Sequence, residues 1–212
     1  METFYTYAGN SVYFFQAILA FVGAYALIMV WRRVANTGFE DEEEQDEFLG
    51  EFEQALAARN FDAAAQLCEG DRRTMPQLAL FAVMNRELGY SKLRGRVGER
   101  FQQDVMSDIE HRLSWVATAI KTAPMLGLLG TVMGMMGAFA KLGGSEKVDP
   151  TAMASDIQFA LITTAVGLAI AVPLMVGLAS VNINIRKMED LTGLGLSRLF
   201  DSLKVLLPGG SR

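Results

Sequence analysis

The chain has 212 residues, of which 51% are hydrophobic and 20% are charged. Its mean hydropathy is positive in spite of those charges. Apolar segments must therefore alternate with strongly polar ones, as in an integral membrane protein, and a single soluble core is excluded. The net charge of −5 disfavours a nucleic-acid partner, because binding to phosphates needs positive charge.

Three stretches approach or exceed the roughly 20 apolar residues that a helix needs to cross a bilayer. They predict an all-α integral membrane protein, with the lipid bilayer as one partner. The predicted segments are a short periplasmic N-terminus at 1–10, transmembrane helices at 11–31, 113–140 and 156–181, a cytoplasmic helical domain at 32–112, a periplasmic loop at 141–155 and a cytoplasmic C-terminal segment at 182–212.

Basic residues flank the three predicted spans on one side. Arg32 and Arg33 follow the first span, Arg112 precedes the second, and Arg186 and Lys187 follow the third. The positive-inside rule places these flanks in the cytoplasm, so the N-terminus is expected in the periplasm. A secretory signal peptide would carry its positive charges before the apolar run. We therefore expect the first span to be a retained helix.

The segment between the first two spans predicts a small helical subdomain. Apolar positions at helical spacing indicate two short helices over residues 48–68, broken near Asn60, with Asp62 available to cap the second. A further amphipathic helix is expected over residues 75–90. From Val97 onward a helical pattern continues without interruption into the second span.

Charge in this subdomain is strongly segregated. An acidic run occupies Glu40 to Glu53, and a basic stretch occupies Arg86 to Arg100. A solvated helix face is the simplest interpretation of each. The alternatives are a docking surface for the acidic run and, for the basic stretch, contact with the acidic run or with anionic lipid. Cys68 is the single cysteine, so we expect a free thiol.

The second span carries a stripe of glycines. Gly127, Gly130, Gly134 and Gly137 recur at spacings of 3, 4 and 3, which puts them on one side of a helix and lets neighbouring helices approach closely. Thr131 lies beside the stripe, where its hydroxyl is expected to bond to a backbone carbonyl or to meet water. Plain helix packing is the alternative to a functional role.

The third span carries a matching stripe. Ala160, Thr164, Gly167 and Ala171 recur at spacings of 4, 3 and 4, so the second and third helices are expected to line a common surface. Threonines that bond only to their own helices are the alternative interpretation.

Two prolines mark the third helix. Asp149 followed by Pro150 is a typical helix start, because the carboxylate can cap free amides and proline is tolerated in the first turn. Pro173, deep in the span, removes one backbone hydrogen bond and is expected to bend the helix.

These features together resemble the paired signature of the MotA/TolQ/ExbB proton channel family. The matching segments are residues 123–134, Ala-Pro-Met-Leu-Gly-Leu-Leu-Gly-Thr-Val-Met-Gly, and residues 160–173, Ala-Leu-Ile-Thr-Thr-Ala-Val-Gly-Leu-Ala-Ile-Ala-Val-Pro. Both occur in order and within predicted spans, and the strong resemblance covers residues 113–186. Three spans, with the cytoplasmic domain between the first and second, resemble the ExbB/TolQ branch, whereas the MotA branch has four.

The resemblance implies a multi-pass protein of the bacterial inner membrane that forms a ring, a homopentamer, with its second and third helices extended into the cytoplasm. The ring would surround an ExbD/TolR-like single-span partner, whose membrane aspartate carries the proton, and would act with a TonB/TolA-like protein. Thr131, Thr164 and Thr163 would line the proton path. The helix-packing residues around the partner would be Gly127, Gly130, Gly134, Gly137, Ala160, Gly167 and Ala171, with Pro173 as the bend.

The implied function is conversion of the proton motive force into mechanical work on the cell envelope, in TonB-type import or Tol-type envelope maintenance. One position departs from the family. Many members carry a glutamate near the start of the third span, and here Phe159 occupies that position. A phenyl ring cannot take a proton. For the nearby Asp156, capping or solvation is favoured over a role as a proton relay.

Two other function classes compete with a proton-driven motor. A non-conducting membrane scaffold that holds a single-span partner uses the same glycines but does not need the threonine hydroxyls. A soluble-substrate enzyme is disfavoured, because the sequence has no metal-ligand cluster, nucleophile–base pair or phosphate-binding loop. No cofactor or metal is therefore expected. The sequence leaves open whether the ion is a proton or sodium.

Overall fold

The computed structural model describes residues 2–39, 41–144 and 150–206, with side chains described outside residues 2–10, 142–144 and 152. All regular structure in these ranges is helical, which confirms the predicted all-α class. The α-helices are α1 (Glu2–Thr37), α2 (Glu42–Ala57), α3 (Phe61–Cys68), α4 (Thr74–Met84), α5 (Tyr90–Arg100), α6 (Ser107–Gly144) and α7 (Pro150–Leu206). A 3-10 turn (Arg86–Leu88) precedes α5, and a π-helical segment (Phe101–Met106) joins α5 to α6.

Within the described residues, three helical stretches are long and apolar enough to cross a membrane: Ser11–Thr37, Tyr90–Lys141 and Met153–Leu206. Their length and composition confirm the predicted number of spans and a multi-pass membrane protein. With 38 and 57 residues, α6 and α7 far exceed the roughly 20 residues that one crossing needs. The exact span boundaries and the sides of the membrane stay predictions.

The chain divides into two compact units, and the first consists of Met1–Met29 with Arg112–Ser180. In this unit α1 packs against α6 and α7 through small residues. A Cβ added at Gly23 would lie 2.7 Å from the Leu174 side chain and 2.9 Å from the Cβ of Ala119. Glycine at this position is therefore what lets α1 approach its neighbours so closely.

The second unit consists of Val30–His111 with Val181–Arg212, and it has its own apolar core. Consecutive helices pack on one another, α2 on α3, α3 on α4 and α4 on α5. The end of α7 contributes Leu199, Phe200 and Leu203 to this core, where Leu199 and Leu203 are fully buried. Burial of apolar side chains at helical spacing is the main stabilising term for such short helices.

Part of the acidic run binds the end of α7. The guanidinium of Arg198 donates two hydrogen bonds to the carboxylate of Glu53, at 3.3 and 3.1 Å, and one to Asp46 at 2.7 Å. The buried Gln45 side chain donates to the Leu191 carbonyl at 2.7 Å. A purely solvated run is thus the wrong interpretation for Asp46 and Glu53, since both are paired with a cation. Glu40 lies outside the described residues.

Two predicted helix features are wrong in the second unit. The helix expected over residues 75–90 ends at Met84, because Asn85 leaves helical geometry, with a φ of −106° and a ψ of 19°; its side chain donates to the Phe81 carbonyl at 2.8 Å. Gly89 then has a φ of 76°, a left-handed conformation that favours glycine and starts a new helix. Asn60, not Asp62, caps α3, and its side-chain oxygen accepts the Ala63 N–H at 3.1 Å.

The long helices reach further than the sequence predicted. Since α6 continues to Gly144 and α7 begins at Pro150, the predicted loop at 141–155 is helical at both ends. Asp149 lies outside the described residues, so its cap is untested. The expected helical path from Val97 into the second span is present, with the π-helical segment within it. Although α7 is one helix through Pro173, the bend there stays a prediction.

The turn before α4 leads to a pH-dependent prediction. Burial of Asp71 opposes ionisation, but its hydrogen bonds and ion pair with Arg73, at 2.7 Å, outweigh burial and lower the pKa of Asp71. A carboxyl with a depressed folded pKa contributes stability above its unfolded pKa of about 4, and that stability is lost as pH falls through the folded value. We expect Asp71→Asn to weaken the amide protection of α4 by about 1 kcal/mol at neutral pH, with the difference vanishing in acid.

Hydrogen exchange of α4, compared between the native chain and the variant at neutral and acid pH, checks this result. Asp62→Asn is the matched control, because Asp62 is an exposed carboxyl near the start of α3. Equal effects of the two substitutions, or an Asp71→Asn effect that persists in acid, would contradict the role of the Asp71–Arg73 pair.

Candidate functional site

The glycine stripe of α6 packs directly on α7 of the same chain. A Cβ added at Gly127 would lie 2.8 Å from both the carbonyl oxygen of Thr163 and the Cα of Thr164. A Cβ added at Gly134 would lie 2.9 Å from the carbonyl oxygen of Asp156. Side-chain carbons do not approach backbone atoms this closely, so α6 and α7 meet at this distance only because these positions are glycine.

The other two glycines of the stripe differ in how tightly they are held. A Cβ at Gly130 would lie 2.7 Å from the Cβ of Thr163, which again forbids a side chain. A Cβ at Gly137 would lie 3.5 Å from Oδ2 of Asp156, which is an ordinary van der Waals contact. The four glycines look equivalent in the sequence, but only the first three are required by the α6–α7 contact.

Thr131 and Thr164 bring their hydroxyls together across this contact. Their Oγ1 atoms are in hydrogen-bond contact with each other. Thr131 Oγ1 also lies 3.1 Å from the Ala160 carbonyl and 3.2 Å from the Gly127 carbonyl, and Thr164 Oγ1 lies 3.0 Å from the Gly127 carbonyl. Both threonines are half-buried. The sequence predicted only that the second and third helices share a surface. In the structure the hydroxyls of Thr131 and Thr164 are in direct contact.

The geometry gives this hydroxyl pair two proton arrangements. Each hydroxyl has one proton to donate and can accept another. In one arrangement Thr131 donates to Thr164, which donates to the Gly127 carbonyl. In the other, Thr164 donates to Thr131, which donates to the Ala160 carbonyl. Every donated proton is bonded in both, so the pair can reverse its direction without leaving a buried donor unpaired.

Thr163 takes a different position from the other two threonines. Its side chain is fully buried, and its hydroxyl lies 2.8 Å from the Ala160 carbonyl and 3.3 Å from that of Gly127. Because no part of Thr163 is accessible in the single chain, its structural place is the packing contact opposite Gly130. A role for Thr163 in the proton path stays a prediction.

Gln16 on α1 is a residue of this site that the sequence did not identify. Its side-chain nitrogen donates to the carbonyl of Thr163 at 2.8 Å, and the residue is 1% exposed. Its side-chain oxygen has no hydrogen-bond partner among the described residues. The sequence did contain a signal for Gln16, an uncharged polar side chain inside an apolar span. Such a group is costly in hydrocarbon unless it forms hydrogen bonds, so it indicates a polar contact with another helix.

The small residues of α7 also pack within the chain. Ala160 and Ala171 are 1% and 3% exposed. A Cβ added at Gly167 would lie 3.2 Å from both the carbonyl carbon of Ala123 and the side-chain nitrogen of Gln16. These residues and the α6 glycines were predicted to pack around a partner, and the structure places them at contacts among α1, α6 and α7. Their contact with a partner stays a prediction.

The two residues near the start of α7 are both engaged. The ring of Phe159 makes an edge-to-face contact with Tyr13 of α1, with centroids 5.3 Å apart. Asp156 lies inside α7 and forms an ion pair with Lys141 of α6 at 2.8 Å. The expected capping role of Asp156 is wrong, because α7 begins six residues earlier at Pro150. The ion pair instead joins α6 to α7.

Comparison with known proteins identifies related sequences. The model of a family described as the MotA/TolQ/ExbB proton channel family matches residues 84–192, just over half of the chain. The chain is 34% identical over 100 residues to the biopolymer transport protein ExbB of Helicobacter pylori, which covers 47% of the chain and 68% of that protein.

Two further relatives match shorter parts. An ExbB homolog of Methanothermobacter thermautotrophicus is 50% identical over 70 residues, 33% of the chain and 24% of that protein. The Tol-Pal system protein TolQ of Haemophilus influenzae is 33% identical over 85 residues, 40% of the chain and 37% of that protein. The chain thus matches from about a quarter to about two thirds of the length of these relatives.

Proposed function

This chain belongs to the MotA/TolQ/ExbB proton channel family, in its ExbB/TolQ-like branch, and we propose that it is the ring-forming subunit of a proton-driven motor. In this proposal five copies form a homopentamer in the bacterial inner membrane, with the N-terminus in the periplasm and the C-terminus in the cytoplasm. Membership in this family makes the chain a transport component and not an enzyme.

The observation that carries the proposal is the Thr131–Thr164 hydroxyl pair. The pair lies within apolar spans, and the hydrogen bond between its hydroxyls can run in either direction, with the Gly127 or the Ala160 carbonyl as the final acceptor. Such a reversible pair can orient a proton or a water molecule that reaches it from outside the chain. We therefore assign Thr131 and Thr164 to the surface that faces the proton path, and we keep the adjacent, fully buried Thr163 as a third candidate for this path.

A partner must supply the acid that carries the proton. Residues 122–140 and 157–181 contain no Asp, Glu, His or Cys, and a proton crossing hydrocarbon needs a titrating group or a file of water. We propose that this group is a membrane aspartate of an ExbD/TolR-like single-span protein inside the ring. One charge that crosses 100 mV releases about 2.3 kcal/mol, which would drive movement of that partner.

The work would be done on the cell envelope through a TonB/TolA-like protein. A non-conducting scaffold is the second candidate function, and the tight glycine contacts favour it as much as they favour a motor, because they hold α6 against α7 in either case. The two candidates differ at the threonines. A scaffold does not need their hydroxyls, and a motor does.

We expect the purified chain alone to leave liposomes nearly proton-tight, because residues 122–140 and 157–181 contain no Asp, Glu, His or Cys to carry the proton. Proton uptake into vesicles under an imposed potential is the measurement, with the chain alone and with the chain co-purified with a single-span partner. The expected result is flux only in the second sample, and only when the aspartate of the partner is intact.

The control in this measurement is the partner alone in the same vesicles. Robust flux through the chain alone would contradict the assignment of the acid to a partner. Equal, low flux in all samples, with partner and chain firmly associated, would favour the scaffold.

A further inference from the structure

The exposed side of α2 carries an acidic stripe with no ion-pair partner among the described residues. Glu43, Glu47 and Glu51 recur every four residues and are exposed, and no ion pair joins them to another described residue. They differ in this from Asp46 and Glu53, which bind Arg198. The charge of the stripe is therefore uncompensated within the part of the chain that the structure describes.

The exposed side of α5 carries a basic stripe. Lys92 and Arg96 lie one turn apart and are exposed. No ion pair joins Lys92 to a described residue, and Arg96 makes only a long contact of 3.9 Å within this part of the chain, with Glu99, between two well-exposed side chains. Such exposed pairs contribute little. This stripe is available to an acidic partner.

The two stripes have the same spacing with opposite charge. On α2 the order is Glu47, Gly50, Glu51, and on α5 it is Lys92, Gly95, Arg96. A Cβ added at either glycine would meet no atom within 4 Å. Glycine inside a helix is unfavourable relative to alanine, and no described residue packs against the Cβ position of either glycine. A glycine between two charges of one sign, on an open face, suits close approach of another helix.

The two stripes lie on the first and the last of four helices that pack in series. Helices α2, α3, α4 and α5 pack in sequence order, each on the next, so that α2 and α5 are the terminal helices of the series. When two different surfaces of one chain are complementary to each other, copies associate head to tail, and such contacts generate a ring when the rotation from one copy to the next closes.

On the basis of the proposed ring, we infer that the acidic stripe of α2 in one copy packs against the basic stripe of α5 in the next copy. Gly50 and Gly95 lie at the crossing point, and Glu47 and Glu51 face Lys92 and Arg96. The occupant of each face is thus a second copy of this chain. The contact fixes the direction in which copies follow one another around the ring.

Cysteine cross-linking between differently tagged full-length copies tests this contact. One copy carries Gly50→Cys and the other carries Gly95→Cys, and both positions have open space for the thiol. A disulfide forms only where Cα atoms come within about 7 Å. Cys68 does not compete, because burial, together with the charge of Asp71, raises its pKa to about 12. We expect a covalent dimer that carries both tags.

Gly193→Cys paired with Gly95→Cys is the matched control, since Gly193 is also a helical glycine with nothing within 4 Å. We expect the α2–α5 pair to give roughly ten times the yield of the control pair, because a defined contact raises the effective thiol concentration. Equal yields would overturn the proposed interface.

Charge reversal provides the second arm. Glu47→Lys with Glu51→Lys should lower the cross-link yield about tenfold, as should Lys92→Glu with Arg96→Glu, because like charges then face each other. The chain with all four substitutions should recover the yield. Unreactive Cys68 verifies that each variant is folded. The inference would be overturned if reversing the charges on one face left the cross-link yield unchanged, or if the variant with all four substitutions did not recover the yield.

This readout does not depend on proton flow. Loss of the α2–α5 cross-link in rings that still move protons would overturn only the interface. An intact cross-link in a chain that supports no flux with any partner would overturn only the motor function.

Discussion

Replacing Thr131 and Thr164 together by valine is expected to reduce partner-dependent proton flux by roughly a hundredfold, because each hydroxyl bond contributes about 1 to 1.5 kcal/mol and each 1.4 kcal/mol is tenfold in rate. Valine has nearly the shape of threonine and carries a methyl group in place of the hydroxyl. The Gly127 and Ala160 carbonyls lose these hydroxyl donors but still accept backbone hydrogen bonds within their own helices. The ring should therefore still assemble. Flux in vesicles and the size of the complex are the two measurements.

Thr118→Val is the matched control for this double substitution. Thr118 also lies on α6, but it is exposed, and its hydroxyl donates to the Ser114 carbonyl of its own helix at 2.7 Å. It should leave flux unchanged. A double-valine variant that works as well as the native chain would remove the threonines from the proton path and favour the scaffold.

A single methyl group at Gly127 is expected to have a large effect on stability. The added Cβ of Gly127→Ala would lie 2.8 Å from backbone atoms of Thr163 and Thr164, and backbone cannot rotate away as a side chain does. Overpacking of this kind costs about 1 to 3 kcal/mol, more than the roughly 1 kcal/mol that alanine gains in a helix. We expect a lower thermal midpoint in detergent and loss of flux, since the hydroxyl pair is displaced.

Gly137→Ala is the control on the same stripe. Its Cβ would meet Oδ2 of Asp156 at 3.5 Å, an ordinary contact, so alanine should leave the midpoint unchanged or slightly raised through its helix propensity. If both substitutions destabilise the chain equally, close packing on α7 does not explain the stripe.

The sequence alone determined a good deal about this protein. Apolar length identified the three spans, and the spacing of small residues correctly marked the faces of α6 and α7 that meet. The paired motifs at residues 123–134 and 160–173 identified the family, which the comparisons bear out. These features are local in the chain, because periodicity and length are read from neighbouring residues.

The tertiary structure decided which members of each pattern matter. Of the four glycines on one stripe, three make tight contacts with α7 and one makes a loose contact. Of the three threonines, two form a half-buried pair and the third is fully buried. Gln16 joined the site from a helix almost 150 residues away in sequence, and Arg198 took up part of the acidic run. Periodicity assigns a residue to a face, but the atom it meets depends on the partner helix and on how closely that helix approaches.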